Sequence, residues 1–156
     1  MIIRLAKQED IEDLINMWKK LSDFHKNFPN YMTPSLGWKN MMRQLYEEDL
    51  ISSSRAIFIA KDYYKSAGFL RVESRVNSRI FATAIIGYIS DIYVEEQYRG
   101  TNVAEKLFIE GINWFRSKGI YSVRLNVNPE NTRAINFYNK LGFKEVNKTL
   151  SMAIDV

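Results

Sequence analysis

The sequence predicts a three-layer α/β (α+β) domain: a central mixed, mostly antiparallel sheet of six or seven strands with helices on both faces. Three observations carry this. Apolar periodicity along the chain switches from strand, to two helices, to a block of three strands, and then alternates helix, strand, helix and one or two final strands. The length of 156 residues falls where one hydrophobic core is the usual solution, so residues 1–156 are expected to form a single domain. Finally, 46% hydrophobic and 13% aromatic residues with only 7 Gly and 3 Pro supply a packed core and leave no low-complexity linker.

Each element has its own signal. Ile2 to Ala6 is a short apolar run suited to a strand. Glu9 and Asp10 then precede Ile11, Leu14, Ile15, Trp18 and Leu21, which recur at helical spacing. An aromatic connector carries Phe24, His25, Phe28 and Tyr31. After it, Thr33-Pro34-Ser35 reads as a helix start, followed by Trp38, Met41, Met42 and Leu45. Ala56 to Lys61, Ala67 to Val76 and Phe81 to Val94 are strand candidates separated by polar turns, an antiparallel meander. Val103, Leu107, Phe108, Gly111 and Phe115 form a helical stripe that ends at Lys118-Gly119, a basic last turn followed by glycine. Val123 to Val127 is a buried strand. Pro129 and Asn131 open a last helix closed by Gly142, and Phe143 to Val146 and Leu150 to Ile154 are candidates to complete the sheet.

Composition narrows the chemistry. There is no Cys and one His, so disulfides, thiolate metal sites, a cysteine nucleophile and a histidine metal cluster are all excluded, and no metal is expected. The 22 Lys and Arg against 18 Asp and Glu give a net charge of +4 spread along the chain, which suits an anionic cofactor but is not a nucleic-acid stripe. Arg4 interrupts the N-terminal apolar run before a signal peptide or membrane span can build, so the expectation is a cytoplasmic protein without a membrane partner. A homodimer is compatible with all of this.

The most informative stretch runs from Asp91 through Ile92-Tyr93-Val94 and the polar loop Glu95 to Gly100 into a helix N-terminus at Thr101-Asn102-Val103-Ala104. Such a junction gathers unpaired backbone N–H groups and the positive end of a helix dipole, an arrangement suited to phosphate. Gly100, Asn102 and Ala104 are small or tolerant of a left-handed backbone, and Arg99 adds charge. On this loop alone, a phosphate site and an ordinary helix cap are equally good readings.

Here the chain resembles the GNAT (Gcn5-related N-acetyltransferase) superfamily, whose loop reads Arg or Gln, two residues, Gly, any residue, then Gly or Ala. Arg99 and Ala104 match, and Asn102 replaces the middle Gly. The segment Asn131-Thr132-Arg133-Ala134-Ile135-Asn136-Phe137-Tyr138, continuing to Leu141-Gly142-Phe143, is similar to the family's last helix, and its spacing puts Asn131 and Tyr138 on one helical face. The resemblance implies acetyl-CoA as acetyl donor and an amine as acceptor. It implies pantetheine contacts from Ile92, Tyr93 and Val94, pyrophosphate contacts from Arg99, Gly100, Thr101, Asn102, Val103 and Ala104, a cofactor-arm contact from Asn131, and proton donation to the departing thiolate by Tyr138. A Glu that some relatives carry before the last helix is Asn126 here.

The base must therefore come from elsewhere, and Asp91 is the candidate, weighed equally against a carboxylate that merely satisfies a bulge or a turn. Glu73, Glu95 and Glu96 rank lower because nothing in the sequence fixes their direction. His25 and the aromatic connector read as packing residues that could also wall an acceptor pocket, and Glu47-Glu48-Asp49 as a solvated face. The competing function is an acyl-CoA sensor without turnover, which Asn102 and Asn126 favour and Tyr138 opposes.

Overall fold

A computed structural model describes residues 1–155, which divide into two compact units, residues 1–126 and the remainder from Val127. In the first unit the order is β1 (Ile2–Leu5), α1 (Ile11–His25), α2 (Trp38–Leu50), β2 (Arg55–Asp62), β3 (Lys65–Val76), β4 (Ile85–Val94), α3 (Val103–Ser117) and β5 (Val123–Leu125). The sheet follows chain order, β1-β2-β3-β4-β5, with antiparallel pairs up to β4 and a parallel β4/β5 pair. A parallel neighbour requires a crossover, and α3 supplies it.

Alternation along the strands sends side chains to two faces. On one, Ile57, Ile59, Phe69 and Tyr93 pack with Ile11, Leu14, Ile15 and Met17 of α1 and Tyr46 of α2. On the other, α3 lies so close that a Cβ on Gly111 would come within 2.6 Å of Leu70, and one on Gly87 within 2.6 Å of Phe115. Helices therefore cover both faces, and the three-layer expectation holds. The apolar stripes read from the sequence for α1 and α3 are these contact faces, whereas on α2 Trp38 and Met42 pack beside the buried Tyr46 and Met41 is exposed.

Several boundaries differ. The second helix begins at Trp38, after Gly37 in the left-handed region (φ 80°), rather than at the Thr33-Pro34-Ser35 signal. A left-handed residue interrupts the helical backbone there, so the helix starts only beyond it. The strand expected from Phe81 starts at Ile85, because residues 77–84 form the hairpin loop closed by Asn77 N–H donating to the Ala84 carbonyl at 2.6 Å.

The second unit contains α4 (Thr132–Lys140), capped by Asn131, whose Oδ1 accepts from the Ala134 amide at 3.2 Å. Among the described residues there are five strands, not six or seven, and Phe143 to Val146 and Leu150 to Ile154 are not in strands. Alternation at Leu150, Met152 and Ile154 is a preference for a pleated surface. A strand also needs a hydrogen-bonded partner, and these residues make no ladder.

Candidate active site

Two features of β4 build the site in the first unit. The first is a bulge. Arg71 faces Asp91 across the β3/β4 pair while Val72 faces Ile89, so Ser90 is an extra residue. The extra residue shifts the alternation by one, so that Ser90 and Tyr88 join Asp91 and Tyr93 on the α1/α2 face. Two contacts confirm the shift: Ser90 Oγ donates to Glu73 Oε1 at 3.2 Å, and the Arg75 guanidinium lies 3.5 Å from the centre of the Tyr88 ring.

The second is a splay. β4 pairs with β5 only at Gly87, Tyr88 and Ile89, whereas β4 runs on to Val94. Beyond Ile89 no strand pairs with that side of β4 among the described residues, so the backbone edge at Ile92, Tyr93 and Val94 has no strand partner there. Nearby, Gly68 of β3 leaves no room to close up on β4, since a Cβ there would lie 2.5 Å from the Tyr93 carbonyl oxygen.

This unpaired edge leads into the loop. A short 3-10 turn at Glu96–Tyr98 is tied to the β2/β3 turn by Tyr98 Oη donating to Asp62 at 2.9 Å. Gly100 takes the left-handed conformation (φ 76°), turning the chain toward α3. Asn102, by contrast, has φ −86°, so the loop makes no use of its tolerance for positive φ, and a glycine is not required there. Thr101 Oγ1 donates to the Tyr98 carbonyl at 2.5 Å and accepts from the Val103 amide at 3.4 Å. The amides of Gly100, Thr101, Asn102 and Ala104 have no acceptor among the described residues. Arg99 is folded back: its Nε donates to the Val94 carbonyl at 3.1 Å and its guanidinium lies 5.7 Å from the centre of the Tyr93 ring. It couples the loop to the end of β4 as well as contributing charge.

Asp91, partly buried, accepts no hydrogen bond from the described residues. Burial pushes its carboxyl up to about 6, helped by Glu73 and Asp49 and opposed by Arg71. That value suits a group that must hold and release a proton near neutrality. Around it lies a buried ionic cluster. Asp49 of α2, 2% exposed, accepts from Arg71 Nε at 2.6 Å and Nη2 at 3.2 Å and lies 2.6 Å from Arg55 Nε. Glu73 accepts from Arg75 Nε at 2.7 Å as well as from Ser90.

Two of the three lower-ranked carboxylates have fixed directions, Glu73 through Arg75 and Ser90, and Glu95 through Lys20 Nζ at 2.7 Å and Tyr93 Oη at 3.3 Å, while Glu96 is exposed. Both are committed to partners. The acidic run on α2 is also divided, with Glu47 and Glu48 exposed and Asp49 in the core. His25 is exposed and sits among Phe24 and Phe28, and Trp18 packs on Trp38 with ring centres 5.3 Å apart, so this connector is held by aromatic packing.

Asn131 and Tyr138 belong to the second unit. Asn131 is the residue before the helix, not part of a helical face; as N-cap its oxygen is used on Ala134 and its Nδ2 is left to donate elsewhere. Tyr138 is half-buried between Phe137 and Phe143, with ring centres at 5.5 and 5.7 Å.

Residues 17–143 match the profile described as the acetyltransferase (GNAT) family. The chain belongs to that family. A GNAT relative, an uncharacterised N-acetyltransferase of Methanocaldococcus jannaschii, is 25% identical over 92% of this chain and 60% of its own length. The N-alpha-acetyltransferase 30 of Schizosaccharomyces pombe is 28% identical over 55% of each chain. The chain thus spans little more than half the length of these relatives. Among solved structures, a predicted acetyltransferase of Clostridium acetobutylicum with acetyl-CoA has a TM-score of 0.79 at 18% identity, covering 97% of this chain and 95% of that one. The aminoglycoside N-acetyltransferase AAC(6')-Iy with CoA has 0.79 at 21%, covering 99% and 95%. At such identities the likeness is one of fold.

Among the residues around Asp91, the sequence did not single out Tyr46, Arg55, Arg71 or Ser90, and Asp49, expected on a solvated face, is buried. A signal existed for three of them. Met42, Tyr46 and Asp49 fall on one helical stripe, and Arg71 sits inside the apolar run Phe69-Leu70-Arg71-Val72, where an unpaired charge could not be buried.

Proposed function

We propose that this GNAT protein moves the acetyl group of acetyl-CoA to the nitrogen of a primary amine, whether a small amine, a peptide N-terminus or a lysine, by direct attack within a ternary complex. The observation that carries it is the unpaired edge of β4 running into a loop of unpaired amides. Ile92, Tyr93 and Val94 would pair with the amides of the pantetheine arm, and the amides from Gly100 to Ala104, with Arg99, would receive the pyrophosphate. Asp91 takes the proton of the acceptor nitrogen. Tyr138 gives one to the thiolate, and Asn131 holds the cofactor arm through its free Nδ2; both roles follow from the family resemblance. On this reading residues 1–156 work as one domain.

Binding is tested by thermal shift. Acetyl-CoA is expected to raise the melting temperature by mass action while free acetate does not. Ala104→Glu, which places bulk and negative charge among the phosphate-binding amides, is expected to abolish the shift, and Asn102→Gly to keep it. No shift and no calorimetric heat at saturating acetyl-CoA would remove the proposal.

Turnover is tested at Tyr138. The sulfur of a thioester is a poor acceptor, but it leaves as a thiolate, so a donor placed there lowers the barrier without tightening binding. Tyr138→Phe is expected to keep acetyl-CoA affinity and to reduce kcat about 10²-fold, the lower end for general-acid assistance because a thiolate leaves readily. A variant that loses stability yet turns over normally would return the hydroxyl to a structural role.

A further inference from the structure

One stretch of the Asp91 face has no part in the scheme above. With the cofactor arm on Ile92 to Val94, the side of Asp91 left for the acceptor is the one toward the start of β4, where the bulge puts Ser90 and Tyr88 on the same face as Asp91. From β3, Glu73 and Arg75 join them, because Arg71 stands opposite Asp91 and both follow it at even spacing. None of these four side chains takes part in the proton or cofactor chemistry.

Together they hold one guanidinium in a fixed orientation. Arg75 Nε donates to Glu73 Oε1 at 2.7 Å, Nη2 pairs with the same oxygen, and the guanidinium lies 3.5 Å from the centre of the Tyr88 ring. Ser90 Oγ holds that carboxylate from the neighbouring strand at 3.2 Å. Arg75 Nη1 donates to no acceptor among the described residues. The pair is also unequally placed: the Glu73 side chain is 15% exposed and that of Arg75 48%, so the carboxylate lies beneath and the cation faces solvent. The other arginines of this face, Arg71 and Arg55, both lie against the buried Asp49. An exposed ion pair adds little to stability, whereas a guanidinium already held flat binds an anion with little further loss of rotamer freedom.

We propose that the acceptor is a small zwitterionic amine, its nitrogen at Asp91 and a carboxylate or phosphate on Arg75. Arg75 is then the residue that sets specificity, and Tyr88, Glu73 and Ser90 orient it. The inference rests on the acetyl-transfer reading. Strand register sets the length of the acceptor: Arg71, opposite Asp91, and Glu73, opposite Tyr88, are two residues apart on β3, about 7 Å, and the guanidinium lies over Tyr88. An amine and an anion joined by roughly five or six bonds span that distance. Charge agrees with length. The ammonium end meets the Asp91 carboxylate and the anionic end meets the exposed cation, so the ligand is steered into one orientation, whereas a diamine sets its second charge against Arg75.

The test uses aminohexanoate, aminohexyl phosphate, aminohexanamide and diaminohexane, primary amines that share one carbon chain length and differ in the far group. Binding is measured by calorimetry with free CoA present, and turnover by thiol release from acetyl-CoA. In the wild-type protein kcat/KM for at least one anionic amine is expected to exceed that for the amide by about tenfold, what one charge-assisted hydrogen bond supplies, with the difference in KM and diaminohexane last. The better of the two anions identifies the group as carboxylate or phosphate. Arg75→Gln is expected to bring the ratio of anionic to neutral amine close to one, and Arg75→Lys, a cation without the planar fork, to keep part of it. Equal use of anionic and neutral amines, a ratio that survives Arg75→Gln, a loss that falls equally on every acceptor, or no binding and no turnover of any probe overturns the proposal. If calorimetry shows an Arg75-dependent preference for the anionic amines while no thiol is released, the anion site stands and the acetyl-transfer reading falls.

Discussion

Asp91→Asn is expected to lower the acetylation rate at neutral pH by about 10²-fold to 10⁴-fold, the range for loss of a general base, with acetyl-CoA affinity nearly unchanged. Asn has almost the same volume and keeps the bulge, so the change removes a proton acceptor and little else. In the wild-type protein only the carboxylate accepts, so kcat/KM should fall as the pH drops through about 6, where Asp91 titrates. The variant should lack that acid limb. Stability moves the other way. The folded protein holds the Asp91 proton more tightly than the unfolded chain, whose carboxyl titrates near 3.9, so the native state loses stability as the pH rises from about 4 through about 6. Asp91→Asn is therefore expected to raise the melting temperature at neutral pH. A variant that keeps full turnover and an unchanged pH profile would return Asp91 to the role of bulge carboxylate.

Asp49→Ala is expected to be the most destabilising single change in the cluster. The Asp49 side chain is fully buried and Arg71 nearly so, and the pair is bidentate. Removing one partner of a buried ion pair typically costs about 3–5 kcal/mol, because the remaining charge keeps its desolvation penalty. Arg55, a third exposed, can turn to water, but Arg71 is fixed on a central strand. For a chain of this size that loss corresponds to a fall in melting temperature of roughly 10 °C, measured by calorimetry or circular dichroism. Exposed pairs such as Lys19 with Asp23 should change it by well under a quarter as much. A drop of only a degree or two would show that Arg71 finds another route to solvent, and that the cluster is weaker than its geometry implies.

The sequence by itself determined the layered α/β class, the order of elements from β1 to α4, and the strand-loop-helix junction from Asp91 to Ala104. These are local properties. Helical periodicity in Ile11, Leu14 and Ile15 and in Val103, Leu107 and Gly111 is imposed by the need to bury one stripe, and the loop motif is contiguous, so neighbouring residues suffice to read both. The tertiary structure alone decided three things. The strand count fell to five because a strand needs a partner, and the alternation of Leu150, Met152 and Ile154 carries no information about whether one is present. The bulge at Ser90 was invisible because an extra residue exists only relative to the register of β3, yet it sets which side chains of β4 share a face with Asp91. The assembly of Tyr46, Asp49, Arg55, Arg71 and Asp91 joins three strands and a helix, and it is packing that determines why a half-buried carboxylate titrates near neutrality while a buried one three residues beyond Tyr46 stays paired.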